Sequence, residues 1–118
     1  MGLFEPFADP NLASLFRRQV AARADHPFVV WRDLDGHRAE WSYAEAARIV
    51  DGLAAGLWDL GVRAGDRVGV HAGNCPEFIF TVFAIAELGA VMVATNVRSS
   101  IDELTDYLAR AQCSVVFT

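Results

Sequence analysis

The chain has 118 residues, 53% of them hydrophobic, with a mean hydropathy of +0.25 and a net charge of −5. That length fits one small domain or a piece of a larger one, and that apolar content excludes a disordered chain and implies surfaces normally covered by more protein. The acidic balance, without a basic run, argues against a nucleic-acid partner, and because all ten basic residues are arginine, lysine-based catalysis is excluded within these residues.

Residues 1–10 carry Phe4 and Phe7 among two prolines and read as an extended arm. They lack the basic start of a signal peptide, and Pro6 stands where a myristoylation motif wants Ser or Thr. Asn11 is the expected N-cap of a helix to about Arg23, with Leu12, Leu15, Phe16 and Val20 on one face. Asp25-His26-Pro27 breaks it, and Phe28-Val29-Val30-Trp31 reads as a strand. Asp35-Gly36 is the signal of a tight hairpin turn with positive φ at both central residues. The return strand, ending Ala39-Glu40-Trp41, alternates apolar and polar residues, so one face should be wet.

Ser42-Tyr43-Ala44-Glu45 is a capping box opening a long helix to about Leu60, with Ala46, Ile49, Val50, Leu53, Leu57 and Leu60 as its buried stripe. Gly61 followed by Val62 fits a left-handed stop. From Asp66 to Thr118 the pattern is strand, helix, strand, helix, strand, and the rest of the chain leads into it. The apolar runs Arg67–His71, Ala90–Thr95 and Cys113–Thr118 alternate with helical periods, which implies crossover connections and a parallel sheet. Asn74-x-x-Glu77 and Ser100-x-x-Glu103 both look like capping boxes, and Pro76 sits where its missing N–H costs nothing. The helix after Asn74 is apolar almost all round and should be buried on more than one side. The helix after Ser100, with Ile101, Leu104, Leu108 and Ala111 on one face, should lie on the surface. The apolar stretch 78–95 does not read as a membrane span. Gly89 divides it, Glu87 interrupts it, and its helical part of about 13 residues reaches ~20 Å against ~30 Å of hydrocarbon. Neither a repeat nor a linker marks an internal boundary, so residues 1–118 are expected to form a single segment.

Residues with chemical potential mostly have plainer explanations. Glu77 and Glu103 are explained by capping, and the three tryptophans by packing. His71 ends a parallel strand, where ligands of α/β folds tend to bind, but a lone histidine is more often packed. The glycines of residues 69–74 lack the G-x-G-x-x-G spacing of a dinucleotide site. His26, His37, Cys75 and Cys113 show no metal-ligand spacing, and two distant cysteines without a secretion signal point to a reduced, cytoplasmic protein. The loop 96–100 is the better candidate. It follows a parallel strand, leads into a helix N-terminus that favours an anion, and carries the fixed charge of Arg98.

The order of these pieces resembles the adenylate-forming enzymes. Trp41-Ser42-Tyr43-Ala44-Glu45 is similar to their "(L/W)(T/S)Y.E" start, and Gly61-Val62-Arg63-Ala64-Gly65-Asp66-Arg67-Val68 to "G(V/L)..GD.V". Asn74-Cys75-Pro76-Glu77-Phe78 resembles "N.PE(F/W)". Leu88-Gly89-Ala90-Val91, with Asn96-x-Arg98 and Asp102-Glu103-Leu104, resembles "LGAV…N.R….EL". Each motif alone is weak; together, in order from Asn11 to Thr118, they are specific. The likeness extends to AMP-forming acyl-CoA ligases of the carnitine- or medium-chain-acid type.

The resemblance implies an α/β, Rossmann-like βαβαβ parallel sheet preceded by a helix, a β-hairpin and a long helix, incomplete relative to the parent fold. It implies a parent enzyme that converts a carboxylic acid, ATP and CoA to acyl-CoA, AMP and pyrophosphate through an acyl-adenylate, as in fatty acid metabolism. Mg²⁺ would neutralise the phosphates. The family's phosphate loop, ribose-binding aspartate and C-terminal lysine would lie beyond Thr118. The chain is therefore expected to be a truncated N-terminal part of an AMP-binding domain, inactive alone, with no catalytic or metal residue and no cofactor bound productively. Arg98 is the one ligand-binding residue expected, facing a CoA phosphate. The uncovered strand at Cys113–Thr118 should make the isolated chain self-associate. The rival expectation is a non-catalytic interaction or scaffold domain derived from this fold. A small flavodoxin-like nucleotide-binding protein would need a phosphate-cradling loop, which the sequence does not show.

Overall fold

A computed structural model describes residues 11–118; the arm expected at residues 1–10 lies outside the described residues. The elements run α1 (Leu12–Arg23), β1 (Pro27–Arg32), β2 (Arg38–Ser42), α2 (Tyr43–Asp59), β3 (Arg67–Val70), α3 (Pro76–Glu87), β4 (Val91–Ala94), α4 (Ile101–Arg110) and β5 (Val115–Phe117). The chain divides into two compact units, Met1–Ile49 and Val50–Thr118, and the division falls within α2.

In the first unit Asn11 caps α1 as expected, its side chain accepting from the Ser14 amide at 2.9 Å. Only Phe16 of the α1 stripe is buried, while Leu12 and Leu15 are exposed. Phe16 lies 5.5 Å from the Phe28 ring, and Phe28 lies 4.7 Å from Tyr43. β1 and β2 pair antiparallel, with Val29 opposite Trp41 and Trp31 opposite Ala39. On β2 Arg38 and Glu40 are exposed and Ala39 and Trp41 half-buried, the one wet face the alternation implied, and Val30 opposite Glu40 is exposed with them. The hairpin turn differs from expectation. Gly36 has φ +89° but Asp35 has no positive φ, and the Gly36 amide donates to Asp33 O at 3.2 Å. The turn is therefore a four-residue turn closed by a left-handed glycine, a longer solution that needs only one residue with positive φ.

β2 passes into α2 without a loop because the Ser42–Glu45 box satisfies both ends of the step. The Ser42 amide donates to Glu45 Oε2 at 2.9 Å, and the Glu45 amide donates to Ser42 Oγ at 3.1 Å. Ala46, Val50 and Leu57 of the expected stripe are buried, but Leu60 is exposed. The Leu60 amide still makes the helical bond to Gly56 O; the chain then turns at Gly61, with φ +98°, whose amide donates to Trp58 O while the Val62 amide donates back to Leu57 O.

In the second unit β3, β4 and β5 form a parallel sheet in the order β4-β3-β5. The central strand carries the fully buried Val68 and Val70, whose burial is worth about 1.5–3 kcal/mol each. Gly69 between them serves α4: a Cβ there would stand 2.6 Å from Leu108 Cδ2. Because β4 and β5 flank β3 on opposite sides, right-handed crossovers send α3 and α4 to opposite faces. The expected βαβαβ unit is thus present.

One detail of α3 corrects the sequence expectation. Its N-cap is Cys75, not Asn74, and it makes no side-chain cap bond. Pro76 at the first helical position fixes where the helix starts, and Glu77 follows it one place too early to complete a box. Burial reaches round much of the helix: Pro76, Phe80, Thr81, Ala84 and Ile85 are buried and Phe78, Val82 and Phe83 half-buried, whereas Ile79 is exposed. α4 has no buried residue, as a surface helix should, and Ile101 stands out from the expected apolar face into solvent.

Candidate functional site

The loops after β3 and β4 leave for opposite faces of the sheet, which makes the C-terminal ends of these two strands the topological switch point, the place where ligands of open α/β folds tend to bind. His71 and Thr95 stand there, each directly after the last paired residues, Val70 and Ala94. The register makes them neighbours. His71 Nδ1 lies 2.8 Å from Thr95 Oγ1, the Thr95 hydroxyl lies 3.4 Å from Val70 O, and the Thr95 amide donates to the same carbonyl at 3.0 Å. A threonine proton directed at Val70 O leaves the oxygen lone pairs for a proton on Nδ1. The His71 amide donates to Phe117 O at 2.8 Å, so one residue ties together the ends of all three strands.

The loop from Thr95 to α4 is folded on itself. Asn96 Oδ1 accepts from the Arg98 amide at 2.9 Å, and Asn96 O accepts from the Ser99 amide at 3.0 Å. These bonds fix the backbone of Arg98, whose side chain is exposed. Ser100 then forms the expected box: its amide donates to Glu103 Oε2 at 2.8 Å, and the Glu103 amide donates to Ser100 Oγ at 3.2 Å. Those donors are spent internally, and Asp102 and Glu103 place negative charge in the first turn. The end of α4 therefore favours an anion less than the sequence suggested, and Arg98 supplies the positive charge of this loop.

The remaining candidates are dispersed. Glu77 is exposed on α3, and its carbonyl accepts from the Thr81 hydroxyl at 2.7 Å. Cys75 and Cys113 are free thiols; burial pushes the Cys113 thiol above its usual range, opposed by the charge of Arg67. The hairpin tip holds one grouping that His and Cys spacing does not reveal. Asp33, Asp35 and His37, two residues apart at the hairpin tip, bring ligand atoms within 4.8 Å of one another. Asp33 is already committed there, accepting from the His37 amide at 2.8 Å and lying 2.9 Å from His37 Nδ1. Among the described residues no helix is long and apolar enough to cross a membrane.

A three-stranded parallel sheet with helical crossovers defines an open α/β architecture. The family of AMP-binding enzymes matches residues 16–118, and the chain belongs to it. It is 33% identical over 108 residues to the crotonobetaine/carnitine–CoA ligase of Salmonella paratyphi B, covering 92% of this chain and 21% of that protein. Acetoacetyl-CoA synthetase from Streptomyces lividans superposes with a TM-score of 0.85 at 31% identity, over 92% of this chain and 17% of that one. The N-terminal subdomain of Klebsiella oxytoca NpsA shares the fold at a TM-score of 0.81 and 22% identity, over 92% of this chain and 27% of that one. The chain corresponds to an N-terminal portion of AMP-forming acyl-CoA ligases, and spans about a fifth of the length of the curated relative quoted.

Proposed function

We propose that these residues form the opening of an ATP-dependent acyl-CoA ligase acting in the cytoplasm. The enzyme joins a carboxylic acid to CoA through an acyl-adenylate, releasing AMP and pyrophosphate. The family match across residues 16–118 carries the reading. A relative named for crotonobetaine and carnitine supports a small polar acid as the substrate class. Within this segment the sheet and α3 are scaffold, and the loop after β4 presents Arg98 to a phosphate of CoA. ATP and the Mg²⁺ that accompanies it are held by residues outside the segment, because these 118 residues contain no lysine and no phosphate-cradling loop. The segment alone is therefore inactive.

Arg98 is tested in the full-length enzyme by Arg98→Ala. A charge-assisted contact to phosphate is worth about 1.5–3 kcal/mol, or roughly ten- to a hundred-fold in affinity, and solvent exposure places this one near the lower end. KM for CoA should rise about tenfold, while carboxylate-dependent ATP–pyrophosphate exchange, which needs no CoA, keeps its rate. An unchanged KM would return Arg98 to a solvated loop residue, and lost exchange would make it a support of the fold.

A further inference from the structure

The Asn96 bonds fold the loop locally but do not orient it on the sheet. At its far end the loop is held where α4 rests on β3 at Gly69; at its start, after the last ladder bond from Thr95 N to Val70 O, it is held by the Thr95 side chain, which His71 bonds from the neighbouring strand at 2.8 Å. Thr95 begins the loop and Arg98 stands three residues later, so a rotation of the chain at Thr95 sweeps the guanidinium. His71 is itself half-buried and anchored through its amide to Phe117 O on the third strand. It is a fixed post against which a loop can be set.

We propose that His71 is a positioning residue: by bonding Thr95 between the ends of β3 and β4 it sets the orientation in which Arg98 meets the anionic part of CoA. This rests on the reading of Arg98 given above. The histidine need not touch the ligand, and its contribution is bounded by one hydrogen bond between part-buried side chains.

The experiment compares KM for CoA and ATP–pyrophosphate exchange in the full-length enzyme. The variants are His71→Phe, which keeps a ring but no donor, Thr95→Val, which keeps the shape but no hydroxyl, and His71→Asn, whose amide nitrogen can occupy the place of Nδ1. His71→Phe and Thr95→Val should each raise KM for CoA about three- to tenfold, with exchange retained. His71→Asn should restore most of the loss, which a purely space-filling role would not permit. Neither loss should add to that of Arg98→Ala, because both act through the same contact. An unchanged KM in Thr95→Val, beside a raised KM in Arg98→Ala, overturns the positioning role and leaves the Arg98 reading standing. Losses that add fully to Arg98→Ala also overturn it. An Arg98→Ala enzyme with unchanged KM overturns both. If His71→Phe does not fold, Thr95→Val decides between these outcomes alone.

Discussion

Gln112 holds a backbone conformation that glycine holds at the ends of α2 and α3. Its φ is +54°, and the amides of Gln112 and Cys113 return to Ala109 O and Leu108 O as those of Gly61 and Val62 return to Trp58 O and Leu57 O. A side chain in the left-handed region costs about 1 kcal/mol that glycine avoids. Gln112→Gly should therefore stabilise the α4–β5 junction by about 1 kcal/mol, slowing amide exchange at Cys113 roughly fivefold. Exchange at that amide as fast as in the parent would mean that the turn carries no strain. Arg63 seals the end of α2 by other means. Its guanidinium stacks 3.3 Å over the Trp58 ring and donates to Trp58 O at 2.8 Å, an interaction that sequence spacing alone does not announce.

At the scale of elements, the sequence was read well where a local device decides the structure. The boxes at Ser42 and Ser100 and the cap at Asn11 follow from side chains reaching amides three residues away, so their geometry is contained in a few letters. At Asn74 the pattern N-x-x-E does not say which residue starts the helix, and Pro76 places the start one position later. At Asp35-Gly36 the dipeptide marks a turn, but the Asp33 carboxylate, bonding the His37 amide, selects a longer one. α3 is apolar almost all round, and the apolar pattern alone does not show that Ile79 is left exposed among the described residues. The loop carrying Arg98 was legible because strand, loop and cap are consecutive. The His71–Thr95 bond was not: its partners lie 24 residues apart, and they become neighbours only through the β3–β4 register, Val70 opposite Ala94. The hairpin-tip group of Asp33, Asp35 and His37 was missed because only His and Cys spacings were considered.

Across the whole molecule, the sheet of the second unit has two strands, β4 and β5, that pair on one side only among the described residues. Val91 on β4 and Val116 on β5 are exposed apolar residues on those same strands. Unpaired ladder groups beside apolar side chains are a template for another strand. The isolated 118-residue chain should therefore self-associate, with a sedimentation coefficient that rises with concentration; a monomer across a hundredfold range would contradict this. The scaffold alternative relies on the same edges and would show itself as a defined stoichiometric complex. The ligase reading instead treats them as surfaces that the rest of the enzyme covers.

The measurement that bears most directly on that reading is carboxylate-dependent ATP–pyrophosphate exchange, run on the full-length enzyme and on residues 1–118 alone across a panel of small polar and medium-chain acids. The full-length enzyme should exchange label only when an acid is present, and residues 1–118, with no lysine and no phosphate loop, should not rise above the enzyme-free blank. Exchange by the isolated segment that scales with its concentration, or a full-length protein silent with every acid, would contradict the account.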